Sequence, residues 1–328
     1  MADWTFETTD AMTAETWSKK WWMEAKTESY FYANGFVGVG EDNFIVEFPD
    51  LEKNQGYQHS FGQVRELSGA GISGDSTLEG SEEAPSVYDD AITLDQKRNA
   101  VRTAGKLSDQ YPSDKAVRAH MKELLKRWMA ETIDQDLFTA IGGSPTKVVY
   151  GGDATATNDI EAGDYMTLQL VSKAVTYAHK ATPKIVGKKM AGKEGFVCVM
   201  APDQMYDLTE RDAAWAQAQR EAQRRGGDNP IFGTAMGIHK GCALHEHSRV
   251  ATATTWGSGS NLTGATALFM GVQAGGIAYA KKKIWNEKTF DYGNKVGFAI
   301  GAIYGVTKAV FNSADNAVVA IRTYRTSN

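Results

Sequence analysis

SDKAVRAHMKELLKRWMAETIDQDLFTAI, residues 113–141, is the stretch whose reading decides the fold. Val117, Met121, Leu124, Leu125, Trp128, Ile133, Leu137 and Phe138 recur mostly at spacings of three and four, which lays one apolar stripe along a helix. Ser113 or Asp114 caps its start, and Gly142-Gly143 stops it. At about 1.5 Å per residue such a helix runs roughly 40 Å, longer than an ordinary globular helix. It is a spine, with Leu124, Trp128 and Phe138 as its anchoring side chains. Trp128 is expected in the core, where Trp128→Ala would cost about 3 to 5 kcal/mol.

Around this helix the chain has the composition of a folded protein. Its 328 residues, 42% of them hydrophobic, are enough to bury a core and to make about two domains. The net charge of -5 argues against tight, counterion-driven binding to nucleic acid. Cys198 and Cys242 form no CxxC pair, which implies a reducing compartment without a disulfide framework. No positive segment followed by an apolar one opens the chain, so no secretory signal is expected. The longest uncharged stretch, 250–280, is convincingly apolar only over 265–280. That is shorter than the roughly 20 residues a helix needs to span a bilayer, and no membrane partner is expected.

Residues 1–43 carry a heavy aromatic load, including Trp17, Trp21 and Trp22, and are too short to bury it alone. They read as an arm with a short helix near 13–27, docked on a neighbour or folded as a cap on the same subunit. Next come the alternating runs FIVEF, HSFGQVREL and SVYDDAITLDQ, which read as strands around the glycine-rich tip GAGISGDSTLEG. Glu66, Asp75, Glu79, Glu82, Glu83, Asp89, Asp90 and Asp95 lie here, with no Lys or Arg from 66 to 96. Such a one-signed projection is either a solvated loop or a contact for a basic partner surface. Beyond the spine, a helix is expected over 166–179 and a buried strand over 195–200, with the most basic part of the chain between them. A polar helix is expected over 209–225 and a loop over 252–266. The final strands, 296–304 and 317–324, must pair with something much earlier in the chain.

The motifs that usually carry chemistry are incomplete. Gly69-x-Gly71-x-x-Gly74 copies the dinucleotide fingerprint, yet no helix starts there to receive a pyrophosphate. Gly187-x-x-x-x-Gly192-Lys193 copies a P-loop, but Glu194 stands where the magnesium-binding hydroxyl belongs. His245-Glu246-His247 could offer two metal ligands on one strand face, with no third at a recognisable spacing. Hence no catalytic residue, metal ligand or cofactor is assigned, and the chain is not expected to be an enzyme.

Several stretches together resemble the phage coat protein family typified by coliphage N-four, whose members share the Hong Kong 97-like capsid fold. They are Asp50-Leu51-x-Lys53-x-x-Gly56, Leu67-Ser68-Gly69-x-Gly71, Gly74-Asp75-x-x-Leu78-Glu79-Gly80-Ser81-Glu82-Glu83 and Asp95-Gln96-x-Arg98-x-Ala100-Val101. Trp128-x-Ala130-x-x-x-Asp134-x-x-x-Phe138, Asn229-Pro230-Ile231-Phe232, His245-Glu246-His247 and Asp291-Tyr292-Gly293-Asn294 continue the likeness, which spans most of residues 44–328. Ser81 departs from the family's Asn, and residues 1–43 lie outside the resemblance.

The resemblance implies an α+β chain with an N-terminal arm (1–43) and an extended loop (44–105). It also implies a peripheral domain (106–165 and 286–328) carrying spine helix 113–141, and an axial domain (166–285). It implies a major capsid protein of a tailed double-stranded DNA phage, self-assembling as pentamers and hexamers into an icosahedral head. The alternative is an encapsulin-like compartment shell. Further implied partners are a portal and scaffolding or decoration proteins. The enclosed DNA would be held without sequence-specific contacts, in a virion assembled in the host bacterial cytoplasm. An unprocessed N-terminus is expected, and with it a separate scaffolding protein or none. Contacts between subunits are expected from Asp75, Glu79, Glu82, Glu83, Asp89 and Asp90 of the loop and from Trp17, Trp21 and Trp22 of the arm.

Overall fold

The computed structural model describes residues 28–49, 56–64, 71–75, 77–80, 82–84, 87–106, 117–182, 184–190, 193–217 and 237–326. In chain order the elements are α1 (Tyr30–Ala33), β1 (Val37–Gly38), β2 (Ile45–Phe48), β3 (Gln58–Val64), β4 (Val87–Thr93) and β5 (Asp95–Arg102). The spine α2 (Val117–Gly142) follows, then β6 (Val148–Tyr150), α3 (Leu168–Lys180), β7 (Lys188–Met190), β8 (Lys193–Met200) and α4 (Pro202–Arg211). A helical stretch at 213–217 comes next, and from 237 onward the elements are strands: β9 (Gly237–His239), β10 (Cys242–Glu246), β11 (Thr252–Trp256), β12 (Leu262–Met270), β13 (Gly275–Phe290), β14 (Lys295–Lys308), β15 (Val310–Phe311), β16 (Ala314–Asp315) and β17 (Val318–Tyr324).

The chain divides into two compact units. The first takes in the described residues up to His59 with Ile92–Leu137 and Gly276–Thr307. Its sheet runs β1-β2-β13-β14-β5. Antiparallel pairing joins β5 to β14 from Arg102↔Gly297 to Asp95↔Tyr304, so distant segments share one ladder. Over this sheet the spine buries Leu125, Met129, Ile133 and Leu137, a row at intervals of four. Beside them lie Lys126, Ala130 and Asp134, two of them charged and buried. Asp134 is satisfied by Ser29 Oγ at 2.7 Å and the Tyr30 backbone N–H at 2.8 Å, which fixes the entry to α1. Lys126 is paired with Glu123 at 2.7 Å. The spine is tied to the sheet by Tyr304 Oη donating to Asp136 at 2.6 Å and by Lys122–Glu287 at 3.1 Å.

The second unit comprises Ser60–Ala91, Phe138–Gly275 and the chain after Lys308. Its sheet runs β6-β17-β12-β8-β10-β9, with β11 on β12 and β7 on β8. β8 and β12 read as near-continuous apolar runs because both faces are covered. On the inner face of α3, Leu168, Leu170, Val171, Ala174, Val175 and Ala178 are buried. Buried Gln204 of α4 accepts from the Ala201 N–H and donates to Ala265 O and Thr323 Oγ1, stitching the helix to two strands. Where the spine's last turn enters this unit, the carbonyls just past it are met by a buried cation. Lys308 Nζ donates to Gly143 O at 2.6 Å and Ser144 O at 3.1 Å, with Asp315 as its counter-ion at 2.6 Å.

Several sequence expectations are corrected. Leu124 is 60% exposed and Trp128 only half-buried. The buried row is set by residues 125, 129, 133 and 137, and Leu124 and Trp128 lie about 100° round the helix from it. Trp128→Ala therefore costs less than a full core deletion, whereas Phe138 is buried. A helix not expected from the sequence, α4, runs from Pro202 to Arg211, where Pro202 presets the first turn and Gln204 reaches back to Ala201, and the expected polar helix over 209–225 is seen from 213 to 217, its remainder lying outside the described residues. Asp212 caps the 213–217 stretch, accepting from the Ala214 N–H at 2.9 Å, and its other carboxylate oxygen accepts from the Leu168 N–H at the start of α3. The expected loop over 252–266 is the β11–β12 hairpin. The expected domain boundary at 285/286 falls inside β13, and β17 joins β12 and β6 in the second unit's sheet, not the sheet of β14. The proposed cap at Ser113 or Asp114, and the arm with Trp17, Trp21 and Trp22, lie outside the described residues.

Leu137→Ala is expected to lower the stability of the unassembled subunit by about 2 to 5 kcal/mol. Leu124→Ala should change it by no more than about 0.5 kcal/mol. Thermal unfolding of the two variants distinguishes them, and equal losses would contradict the burial pattern.

Candidate assembly surfaces

Within the acidic stretch, β4 pairs with the preceding β3 in a two-stranded ladder separate from both main sheets. At its base Phe61 meets Phe311 edge-on, at 5.9 Å between centroids, and Asp90 accepts from the Val310 N–H. Asp90 is thus half-buried and also engaged inside the subunit. Asp75, Glu79, Glu82, Glu83 and Asp89 are exposed as expected. Glu82 also accepts from the Gly80 N–H at 2.8 Å, a local turn contact. Leu78 is 59% exposed among these acids, and Ile72 and Val87 are exposed as well. A two-stranded ladder with an apolar, one-signed tip has little core of its own.

A second surface lies on the outer face of α3. Gln169, Ser172, Lys173, Thr176, Tyr177 and Lys180 line an open groove of about 360 Å³. Tyr177 is 43% exposed, and Lys173 and Lys180 reach solvent. Glu194 is held by Lys184 at 2.9 Å and faces His179 at 3.7 Å. The sequence had marked this region as basic but gave no sign of a groove, since its walls come from a single helix face and the turn chemistry around it is ordinary.

The other sequence motifs have structural roles. The P-loop-like segment is the antiparallel β7–β8 hairpin. Gly187 is there because a Cβ would sit 2.9 Å from Gly195 O. In the fingerprint-like segment, Gly71 and Gly74 have φ of 67° and 74° in an exposed tip, and among the described residues from 75 to 93 no helix follows. His245 is buried in β10, while His247 stacks on Phe138 at 4.8 Å and accepts from the Arg249 N–H. The two histidines are thus engaged separately, and no group of three or more metal-ligating residues is found among the described residues. Cys198 and Cys242 are buried and free, and burial raises the Cys242 thiol pKa well above its ordinary value. No described helix is long and apolar enough to cross a membrane.

A subunit with two sheets, a long spine and two oppositely charged exposed surfaces has the features of a protein completed by copies of itself. Residues 5–147 and 138–326 match the phage capsid protein family, and the chain belongs to that family. It is the major capsid protein of a bacteriophage. Among similar proteins, the major capsid protein of Pseudomonas phage KPP25 is 28% identical over 340 residues, covering 90% of this chain and 89% of its own. The capsid of Ralstonia phage GP4 is 30% identical with a TM-score of 0.81, covering 91% of this chain and 92% of that one. The capsid of cyanophage Pam1 has the same fold, with a TM-score of 0.80 at 21% identity over 92% of this chain and 93% of that one.

Burial lowers the pKa of His245, since imidazolium is the form that loses hydration, and it lowers that of His239 in the same way. The unfolded chain then binds more protons below about pH 6.5, so the stability they support is full above that pH and is lost as pH falls toward the folded-state values. His245→Gln is expected to flatten, though not abolish, the fall in subunit stability between about pH 6.5 and 5. Chemical denaturation across that range measures it, and parallel curves for the two proteins would show that His245 does not titrate between states.

Proposed function

We propose that this chain builds the icosahedral head of a tailed double-stranded DNA phage, as pentamers and hexamers with the Hong Kong 97-like fold, within the coat protein group of coliphage N-four. In this reading the unit holding the spine and five-stranded sheet is the peripheral domain. The unit holding the eight-stranded sheet is the axial domain, and the β3–β4 ladder is the extended loop. The observation that carries the reading is that ladder, whose exposed Leu78 lies in a run of exposed side chains of a single charge sign and suits the surface of a neighbour.

The protein acts by packing and not by catalysis. Its net charge of -5 suits a container that holds DNA without gripping it. Assembly takes place in the host bacterial cytoplasm, the product is the virion shell, and a portal with scaffolding or decoration proteins completes the head. Each contact contributes modestly, and repetition around closed symmetry sums them into a stable shell.

Purified recombinant protein, viewed by negative-stain microscopy and weighed by light scattering, should give closed shells or rings of five and six. A persistent monomer or dimer across ionic conditions, with and without phage scaffolding protein, would contradict the reading. Reversing Glu79, Glu82 and Glu83 to Lys should abolish shells while leaving the subunit's melting temperature unchanged. Normal particles from that variant would show that the ladder's charge is not an assembly contact.

A further inference from the structure

The chain separates its charge into two blocks. Residues 66–96 contain acids and no Lys or Arg, and residues 165–193 contain Lys173, Lys180, Lys184, Lys188, Lys189 and Lys193 with no Asp or Glu. Both blocks reach the surface, the first as the exposed tip of the β3–β4 ladder and the second as the outer face of α3. We propose that the groove on α3 is the seat for the acidic tip of a second copy of this chain, with Leu78 entering beside Tyr177 and Glu79, Glu82 and Glu83 meeting Lys173 and Lys180. This rests on the shell-subunit reading and adds the acceptor to it.

Three observations favour this seat. The first is sign: with a net charge of -5 the subunit at large does not attract an acidic tip, and the α3 face is a locally positive region. Availability is the second. In the other unit, Lys97, Lys122, Lys126, Lys282 and Lys295 are ion-paired within the subunit to Asp136, Glu287, Glu123, Glu47 and Asp291, which leaves exposed cations such as Arg98 and Lys281 as the rivals that the test must exclude. Neither Lys173 nor Lys180 is ion-paired among the described residues, and the nearby Glu194 is held by Lys184. The third is shape. The tip offers an exposed leucine among carboxylates, and the groove offers an exposed tyrosine between lysines in about 360 Å³. An apolar anchor inside a charged rim is the arrangement that gives an interface both affinity and register. Because donor and acceptor are different surfaces, the contact runs head to tail and closes into a ring when the rotation between copies allows.

The test is a charge swap in the full chain, read as particle yield by sedimentation. Glu79→Lys, Glu82→Lys and Glu83→Lys together, and separately Lys173→Glu with Lys180→Glu, should each lower the yield by about tenfold or more. Combining the two sets should restore most of it. Combining the hairpin set with Arg98→Glu and Lys281→Glu, exposed cations of the other unit, should not. The seat is overturned by an α3 variant that assembles normally, by a failed swap, or by rescue through Arg98 and Lys281, and each of these leaves the shell reading standing. A hairpin reversal without effect would overturn the seat and, with it, the reading of the ladder's charge as an assembly contact. Shells that form normally from the α3 variant but hold less nucleic acid would show that the groove faces a polyanion, which also overturns the seat. Should a charge variant fail to fold, Leu78→Cys with Tyr177→Cys gives an independent readout. Oxidation by oxidised glutathione should link copies through these positions in assembled material, and no link would count against the seat.

Discussion

Everything in this subunit depends on pairing strands that are far apart in sequence. β14 closes the first sheet on β5, and β17 enters the second between β12 and β6. Neither sheet is complete until the end of the chain has arrived. Loop closure of that length is costly before it is rewarded, so folding of such a topology is slow and leaves unpaired edges exposed for longer. The spine is placed where this cost is recovered. Its buried row covers the first sheet, and the carbonyls of Gly143 and Ser144, just past its last turn, accept from Lys308, whose counter-ion is Asp315.

The same spine shows what the sequence could and could not reveal. Its length and its stop were readable, since Leu125, Ile133, Leu137 and Phe138 keep helical spacing up to Gly142. Its orientation was not, because Lys126 and Asp134 occupy the buried side while Leu124 faces solvent. Asp134 is satisfied there by Ser29 Oγ and the Tyr30 N–H, partners far away in sequence that no local pattern can announce. The run GFVCVM was legible as a strand for the opposite reason, being apolar on both faces. Residues 252–266 misled because Gly, Ser and Thr usually mark loops, whereas here Thr sits in β11 and small residues let β12 lie close to its neighbours.

The assembly surfaces were half visible. Charge segregation is a property of the sequence and survives folding, so the acidic tip and the basic α3 face could both be marked. What the sequence hid was use: Asp90 is engaged at the ladder's base, and the groove beside Tyr177 exists only once α3 has buried its inner face. A phage capsid protein is folded as a subunit but finished as a lattice, and its least satisfied surfaces are the ones that neighbours complete.

Hydrogen exchange of residues 71–93, compared between unassembled subunits and closed shells, tests this account most directly. A tip completed by a neighbour should exchange quickly in the subunit and become strongly protected in the shell, while β12 and β17 stay protected in both. Equal exchange of the tip in the two states would contradict the claim that its missing core lies in another copy.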